Sequence, residues 1–268
     1  MKIVIGETPC EVPQGTTLHQ LRDARKPRAD IVCLNGAPVE ADVVLSEGDS
    51  VVFIRRGEMP VPEELEFLMM ARHSPGVHAR MKQACVGIAG LGGLGSAIAM
   101  ALGRMGVGRL VLVDFDVVEP SNLNRQHYFI DQIGMLKTEA LVANLQRVNP
   151  YLHYETHSVR LTPENVPSIF CGVDVLAEAF DSAEAKEMIC EVFCGAFPDK
   201  PIVMASGVAG YESGNAIVTR RFGRNVYVAG DGQTEARPGM GLMAPRVGIA
   251  AHHQANAVVR LLLGEREM

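Results

Sequence analysis

The pattern of apolar and polar residues after residue 84 predicts strands and helices in regular alternation. The predicted strands are "CVGIAG", "RLVLVD", "HYETHSV", "DVLAEAF" and "PIVMASG", and the segments between them include the helical patterns "GLGSAIAMALGRMG", "MLKTEALVANLQRV" and "AEAKEMICEVFCGAF". Apolar strands separated by helices are typical of a parallel sheet with both faces covered. Two later segments, "GNAIVTRR" and "NVYVAG", predict an antiparallel pair before a closing helix. The pattern therefore predicts a doubly wound α/β fold with a mostly parallel sheet and antiparallel C-terminal strands.

The first 57 residues follow a different pattern. "MKIVI" and "CEV" alternate as strands around a turn, "TLHQLRDARKP" predicts a short helix ended by Pro27, and "DIVCLNG" and "DSVVFIRR" predict two further strands. The segment "PEELEFLMMARH" that follows has helical spacing with acids near its start. We therefore predict a small domain over 1–57, a helical linker over 58–84 and a large domain over 85–268.

Composition and charge restrict the classes of partner and compartment. The 268 residues carry 25 Lys and Arg against 31 Asp and Glu, with no long basic run, which argues against nucleic-acid and membrane partners. No stretch reaches the roughly 20 apolar residues of a membrane span, and the N-terminus resembles a strand rather than a signal peptide. The six cysteines lack a disulfide-rich spacing. We therefore predict a cytoplasmic protein.

A glycine-rich segment, "GLGGLGS", is the first candidate binding site. Gly90, Gly92 and Gly95 fit the spacing G-x-G-x-x-G between a predicted strand and helix. Gly90 permits a tight turn, Gly92 lets the backbone approach a phosphate, and the N–H groups at the helix end are donors. Asp114 closes the next strand, where a carboxylate can accept hydrogen bonds from a ribose. These residues alone favour an NAD-dependent oxidoreductase, and a glycine turn needed only for packing is the alternative.

The polar stretch "DFDVVEPSNLNRQ" favours a nucleoside triphosphate instead. A triphosphate carries about four negative charges at neutral pH and needs cations and magnesium. Arg125 and Lys137 are candidates for the cations, although a surface arginine and a solvated helix lysine are the ordinary alternatives. Asp181, in "EAFDSAEAK", can hold a metal ion or cap the helix that follows.

Together "GLGGLGS", "VDFDVVEPSNLNRQ", "IGMLKTEAL" and "EAFDSAEAK" resemble the ThiF/MoeB/HesA family, relatives of the ubiquitin-activating enzymes. The resemblance implies a Rossmann-like fold and a homodimer that binds ATP and Mg²⁺ and adenylates the C-terminal glycine of a β-grasp carrier protein, with release of pyrophosphate. It places at the nucleotide Gly90, Gly92, Gly93, Gly95, Asp114, Asp116, Asn122, Arg125, Gln126 and Lys137. It implies that Arg125, Lys137 and Asp181 are catalytic, with Asp181 as the magnesium ligand. It further implies an arginine contributed across the dimer, for which Arg72 is the candidate and Arg80 the second choice.

The N-terminal segment resembles the small sulfur carriers of the ThiS type in the phrases "GTTLHQL", "LNGAPV" and "LSEGDSVVFI". Such a carrier reacts through a free carboxylate on a Gly-Gly tail. In this sequence, the corresponding segment "FIRRGEMPVPEEL" has a single glycine, Gly57, and the chain continues with Glu58. The Gly57 carbonyl is therefore part of a peptide bond and not a free carboxylate. We therefore expect a separate β-grasp carrier with a Gly-Gly tail as the partner, and a role in docking, dimer packing or occlusion of the carrier site for residues 1–57.

Two features that many relatives have are missing from this sequence. It has no paired CxxC motifs, so we expect no structural zinc, and Cys190 and Cys194 alone do not make a zinc site. The segment "GDGQTEARPGMGLMAPRVG" lacks a cysteine, so we expect adenylation without a covalent thiol step. The expected pathway is thiamine thiazole synthesis. The alternatives are adenylation for molybdopterin, another sulfur transfer, or peptide or tRNA modification, an NAD-binding oxidoreductase, and a docking protein without turnover.

Overall fold

The computed structural model describes residues 1–71 and 73–268, and the chain divides into two compact units, Met1–His73 and Ser74–Met268. Each unit has its own sheet and its own hydrophobic core. None of the helices in the described residues is long and apolar enough to cross a membrane.

The first unit is a five-stranded sheet in the order β2-β1-β5-β3-β4, in which β1 and β5 are parallel and the other pairs are antiparallel. Its elements are β1 Lys2–Ile5, β2 Thr8–Glu11, α1 Leu18–Arg25, β3 Ile31–Leu34, β4 Ala37–Pro38, β5 Ser50–Ile54 and α2 Pro62–Met70. The predicted β-grasp order is present, with β4 as an additional short strand. A tight turn at Asn35 and Gly36, both with positive φ, joins β3 to β4, as an Asn-Gly pair favours.

The core of the first unit lies between its sheet and α1. Leu18 and Leu21 of the helix pack with Ile3 and Val51 of the central strands, and all four are buried. The N-cap Thr17 accepts a hydrogen bond from the backbone of the third helical residue and so closes a capping box. The helix therefore begins directly after Thr17, where the capping residue is followed by Leu18, the first buried apolar residue of the helix.

The second unit is a seven-stranded sheet in the order β11-β12-β10-β9-β6-β7-β8. Its elements are α3 Val77–Gln83, β6 Cys85–Ala89, α4 Gly93–Arg104, β7 Arg109–Val113, α5 Lys137–Gln146, β8 His153–His157, α6 Val166–Ile169, β9 Val175–Glu178, α7 Ala183–Ala196, β10 Ile202–Ala205, β11 Val218–Phe222, β12 Val226–Gly230 and α8 Ala244–Leu262. Every neighbouring pair is parallel except β11 and β12. The predicted mostly parallel fold with an antiparallel C-terminal pair is confirmed.

Successive residues of the central strands enter two different apolar layers. On β7, Leu110 and Leu112 pack in the layer that includes α4 and α8, whereas Val111 and Val113 pack in the layer that includes α6 and α7. A strand buried on both faces must be apolar at every position. This is why these strands appear as continuous apolar runs in the sequence.

The segment that the sequence presents as a linker with one helix contains two helices. The first, α2, has no buried residue. The second, α3, places Met81 in the core of the second unit, fully buried, and also buries His78. Its seven residues are too few to show a helical period, so its contribution to the core has little local signature.

Candidate functional site

The glycine-rich turn joins β6 to α4 at the carboxyl end of the parallel strands. Gly90 has φ +90°, and a Cβ there would lie 2.9 Å from the carbonyl oxygen of Ala179. A Cβ at Gly95 would lie 1.9 Å from the carbonyl oxygen of Gly90. Only glycine therefore allows the first turn of α4 to pack against the loop that precedes it.

The N-terminus of α4 is open toward this edge of the sheet. Gly92 is its N-cap, and no side chain caps the helix. A Cβ at Gly92 would have only Gln126 Nε2 nearby, at 3.8 Å, whereas Gly93 is flanked by Val247 and the side-chain carbons of Arg125. Uncapped N–H groups and the positive end of the helix dipole favour an anion here.

Asp114 connects the glycine loop to the loop after β7. Its side chain is buried, with Oδ2 accepting from Leu91 N at 2.7 Å and Oδ1 from Asp116 N at 2.8 Å. Tyr128 donates its hydroxyl to the carbonyl of Leu91 at 2.8 Å. Burial, together with the two nearby carboxylates, raises the pKa of Tyr128, so the hydroxyl stays protonated. The glycine loop is thus fixed at Leu91 by hydrogen bonds to both its N–H and its carbonyl group.

The polar loop after β7 lies against the glycine turn. Asn122 is buried, and its Oδ1 accepts from Glu119 N at 3.0 Å, so its side chain shapes the loop. Arg125 donates from Nη1 to Asn124 Oδ1 at 2.8 Å. Gln126 is 8% exposed, and within residues 1–71 and 73–268 nothing bonds its buried Oε1. A buried acceptor without a partner calls for a donor from a water, an ion or a ligand.

Lys137 is the first residue of α5, and only 6% of it is exposed. Its Nζ lies 2.9 Å from Oδ2 of Asp116, whose side chain is 49% exposed. The alternative of a solvated helix lysine is therefore wrong. The ammonium is held at the site by a carboxylate that solvent and ligands can reach.

Asp181 lies exposed in the turn between β9 and α7. The cap of α7 is Ser182, whose hydroxyl accepts from Ala185 N at 3.3 Å, so the alternative that Asp181 caps this helix is wrong. The neighbouring Phe180 ring would lie 3.1 Å from a Cβ at Gly90, which places this turn beside the glycine loop. No donor to the Asp181 carboxylate occurs among the described residues.

Of the two candidate arginines upstream of the glycine loop, the structure describes Arg80. Arg72 lies outside the described residues. Arg80, on α3, donates to the carbonyl oxygen of Leu262 near the C-terminal end of α8. Val247, near the start of α8, is the residue that flanks Gly93. At 1.5 Å per residue, Arg80 therefore lies about 22 Å along α8 from the glycine turn of its own chain.

Sequence reasoning missed two ion pairs near this edge, each with at least one buried member. Glu178 and Lys186 are joined at 2.7 Å, and Asp231 and Arg246 at 2.5 Å. Burial raises the pKa of Glu178, and the Lys186 ammonium opposes that shift. The one local signal was an acidic residue inside the apolar run "DVLAEAF". Ionised groups this deep in a protein are retained only with close partners.

These residues fit a nucleotide polyphosphate with a divalent cation. The N–H groups of the open helix end and the positive charges of Arg125 and Lys137 suit the phosphates. The unpartnered Gln126 Oε1 is an acceptor and suits a hydroxyl or N–H group of the nucleotide. Asp181 offers a hard oxygen ligand of the kind that Mg²⁺ prefers. Within the described part of the chain, no three His, Cys, Asp or Glu residues form a metal cluster, so a cation here would depend on phosphate oxygens and water for its other ligands.

Comparisons with known proteins find matches for both parts of the chain. A family model described as the ThiF family matches residues 67–268, and one described as ThiS-like ubiquitin matches residues 1–57. The adenylyltransferase and sulfurtransferase uba4 of Pyricularia oryzae is 38% identical over 130 residues, which are 48% of this chain and 26% of that protein. The ubiquitin-like modifier-activating enzyme 5 of Oryza sativa subsp. japonica is 34% identical over 125 residues, 42% of this chain and 30% of that protein. The chain thus spans less than a third of the length of these relatives.

Solved structures share the fold at lower identity. The E. coli tRNA N6-threonylcarbamoyladenosine dehydratase TcdA, solved in complex with ATP, has a TM-score of 0.67 and 20% identity, covering 73% of this chain and 92% of that one. E. coli MccB, solved with ATP, has a TM-score of 0.56 and 22% identity, covering 71% of this chain and 60% of that one. The predicted family resemblance is confirmed by the family models, whose larger match covers most of the sequence. The chain belongs to the ThiF family.

Proposed function

We propose that this chain uses ATP to adenylate the C-terminal glycine carboxylate of a β-grasp carrier protein. The observation that carries the proposal is the convergence of an open helix end, two cationic side chains and an exposed carboxylate at one edge of the sheet. The names of the relatives, adenylyltransferase and ubiquitin-like modifier-activating enzyme, support the same chemistry.

The reaction joins two anions. A carboxylate oxygen of the carrier attacks the α-phosphorus of ATP, and the bond from that phosphorus to the bridging oxygen of pyrophosphate breaks. The products are an acyl-adenylate and pyrophosphate, and no side-chain nucleophile takes part. Such a step needs the reactants held in line and the growing negative charge neutralised.

The site residues have separate tasks in this reaction. Arg125 and Lys137 bring positive charge to the phosphates, and the N–H groups at the start of α4 donate to them. Lys137 exchanges its Asp116 partner for phosphate oxygens when ATP binds. Asp114 accepts from the ribose while it holds the loop at Leu91. Gln126 contributes its unpartnered Oε1 as an acceptor for a hydroxyl or N–H group of the nucleotide.

Asp181 is the residue that would hold Mg²⁺. When bound, Mg²⁺ neutralises charge on the phosphate oxygens and orients the leaving group. A single exposed carboxylate suffices, because Mg²⁺ usually keeps several waters and takes further oxygens from the phosphates.

The acceptor in this proposal is a separate carrier rather than residues 1–57. Gly57 is followed by Glu58, whose carboxylate lies 2.5 Å from Lys26 Nζ and whose N–H donates to the carbonyl of Arg55. Arg56 N donates to Asp30 Oδ2 at 2.8 Å. The segment is thus folded back onto its own unit, and the Gly57 carbonyl is in a peptide bond, which is a poor nucleophile toward phosphorus.

The pathway, the homodimer and the cytoplasmic location stay predictions. Thiamine thiazole synthesis follows from the family resemblance, whereas the names of the relatives include sulfur transfer and tRNA modification. The decisive observation is the identity of the carrier that the purified chain retains. A carrier from thiamine synthesis supports the first pathway, and a carrier that serves tRNA modification replaces it.

Exchange of labelled pyrophosphate into ATP tests the proposed reaction. We expect exchange that requires both Mg²⁺ and a carrier ending in Gly-Gly, and none with the same carrier lacking that tail. Calorimetry should show binding of Mg²⁺ with ATP and none of NAD. Exchange that proceeds equally without a carrier contradicts the proposal, tight ATP binding without turnover favours a docking protein, and NAD binding favours the oxidoreductase.

The role of residues 1–57 has its own test. The full chain incubated with labelled ATP and no other protein should form no acyl-adenylate. A labelled fragment that ends at Gly57, detected by mass spectrometry, would make the chain its own carrier and overturn this part of the proposal.

A further inference from the structure

Glu178 is the last residue of β9, a central strand between β6 and β10, and its side chain is fully buried. Its neighbours Leu176 and Ala177 belong to the two apolar layers of the second unit. An ionised carboxylate in such surroundings costs several kcal/mol unless it is paired and hydrogen-bonded. A charged residue here therefore calls for a specific explanation.

The partners of Glu178 come from α7, from β10 and from the turn between β9 and α7. Lys186 Nζ lies 2.7 Å from Oε1, Phe180 N donates to Oε1 at 2.6 Å, and Ala205 N approaches Oε2 at 3.4 Å. Lys186 Nζ also donates to the carbonyl of Ala205 at 3.0 Å. The ion pair thus joins the end of β9, the start of α7 and the end of β10.

The backbone of Glu178 is fixed as well. Gln254 of α8 is fully buried and donates from Nε2 to the carbonyl of Glu178 at 2.7 Å and to that of Val203 at 3.2 Å. Because α8 packs in the other apolar layer, Glu178 is held from both faces of the sheet. Its carboxylate therefore has a defined position toward Lys186.

Lys186 has a second potential partner, which is Asp181. With Ser182 as the N-cap of α7, Asp181 is the residue before the cap and Lys186 is the fourth helical residue. Apolar side chains at these two positions often pack against each other at helix starts, so the two positions are within side-chain reach. An acid and a lysine placed there attract each other.

The structure shows Lys186 paired with Glu178 and leaves Asp181 exposed. The Lys186 side chain is 24% exposed, so it is only partly buried, in contrast to Glu178. A lysine on Asp181 would compete with a divalent cation for the same carboxylate, because both are attracted by the same negative charge.

We infer that Glu178 is a positioning residue that holds the Lys186 ammonium away from Asp181 and so keeps Asp181 free to bind Mg²⁺. The inference rests on the proposed function, because it concerns the cation that accompanies ATP. Neither residue has a contact with the nucleotide or the reacting atoms in the proposed function. Glu178 acts by binding the Lys186 ammonium, which leaves the Asp181 carboxylate without a competing cation.

Magnesium titrations of ATP binding, followed by calorimetry, test the inference. In Glu178→Gln the lysine loses its charged partner and keeps only neutral acceptors such as the Ala205 carbonyl. We expect the half-saturating Mg²⁺ concentration to rise by about tenfold, the scale of one added charge interaction near a protein surface. In Glu178→Gln combined with Lys186→Met the competing cation is gone, and the value should return to within about threefold of the parent. ATP binding without Mg²⁺ should be the same in all variants.

Two controls separate this role from a merely structural one. Glu155→Gln removes a carboxylate from an ion pair with Arg109 at the start of β7 and should leave the magnesium requirement unchanged. A structural role predicts equal weakening in the single and double variants, and that outcome overturns the inference. An unchanged magnesium requirement in Glu178→Gln overturns it as well.

Lys186→Met alone provides a second test if Glu178→Gln does not fold. Removal of a cation that lies outside the metal site should not weaken Mg²⁺ binding. A rise of about tenfold in the half-saturating Mg²⁺ concentration therefore overturns the inference. A parent chain that shows no magnesium-dependent ATP binding overturns the proposed function and the inference together. A parent that shows it while every variant behaves alike overturns only the inference.

Discussion

The two edges of the seven-stranded sheet carry the same kinds of charged residue in very different surroundings. At the carboxyl edge Asp114, Lys137 and Glu178 are buried, each with defined partners. At the amino edge the ion pair of Arg224 and Asp199 is 76% and 79% exposed. Burial of charge is costly, whereas an exposed pair contributes little. Stability alone is therefore a weak explanation for the buried charges at the carboxyl edge.

Topology explains why the contrast takes this form. All strands but one run parallel, so their carboxyl ends and the starts of the following helices lie at the same edge. The positive ends of the helix dipoles therefore converge there, together with the loops that carry Arg125 and Asp181. At the opposite edge strands begin and helices end, which favours cations in place of anions.

Removing one charged side chain at a time from each edge should give the largest difference in the rate of pyrophosphate exchange. We expect Arg125→Ala and Asp181→Ala each to lower carrier-dependent pyrophosphate exchange by about a hundredfold or more, the scale for loss of one charge-stabilising group. The matched variants Arg224→Ala and Asp199→Ala should leave the rate unchanged. Near-normal exchange in the first two variants would remove those residues from the site.

A glycine substitution at each edge should give effects of opposite sign. Gly95→Ala puts a Cβ 1.9 Å from a backbone oxygen and should destabilise the fold by about 1–3 kcal/mol and weaken ATP binding. Gly195→Ala, near the end of α7, meets nothing within 4 Å and should stabilise by up to about 1 kcal/mol. Thermal unfolding and calorimetry measure both. Equal effects would show that the turn at Gly90 has room to adjust.

Glu155 provides a smaller test in acid. Hydrogen bonds from Arg109 and His157 lower the pKa of its carboxyl below the usual range. The stabilisation is therefore present above the ordinary pKa of about 4.3 and is lost as the pH falls through the lowered value.

Urea unfolding of the parent and of Glu155→Gln at pH 7 and at about pH 3 measures this effect. We expect a difference in the free energy of unfolding of less than about 1 kcal/mol at pH 7 that shrinks in acid. Pyrophosphate exchange at pH 7 should not change. A difference that grows in acid would contradict the assignment.

The cysteines should show the smallest effect. Burial raises the pKa of Cys194 to about 11 and also raises that of Cys190, so both thiols are protonated and weakly nucleophilic at neutral pH. Replacing either of them, or Cys171, by Ser should leave adenylation intact. A reducible covalent adduct with the carrier that one of these replacements abolishes would refute the prediction of adenylation without a thiol step.

Periodicity in the sequence was sufficient for the order and type of most elements. The strands β6, β7, β9 and β10 are buried on both faces, and each appears as an apolar run. The short elements were missed because they show no such pattern. Strand β4 has two residues and α3 has seven, and neither is long enough to show a period.

The site was predictable where its residues lie in contiguous motifs. The glycine loop, the polar loop after β7, Lys137 and Asp181 all stand next to a strand end or a helix start, so their edge of the sheet follows from local structure. The pairing of Lys186 was not predictable, because its partner Glu178 lies on a different element, eight positions away in the sequence.

Local physical chemistry therefore decides the strands, the helices, the glycine turn and the edge at which the polar loops emerge, because periodicity and turn conformation act over a few residues. The tertiary structure decides which charges are buried, which are paired and which stay available. Arg246 and Asp231 are 15 positions apart, and Gln254 contacts Glu178 across 76 positions. Such contacts arise only when strands and helices pack into layers, since a charge acquires its cost and its partner from the residues that surround it in space.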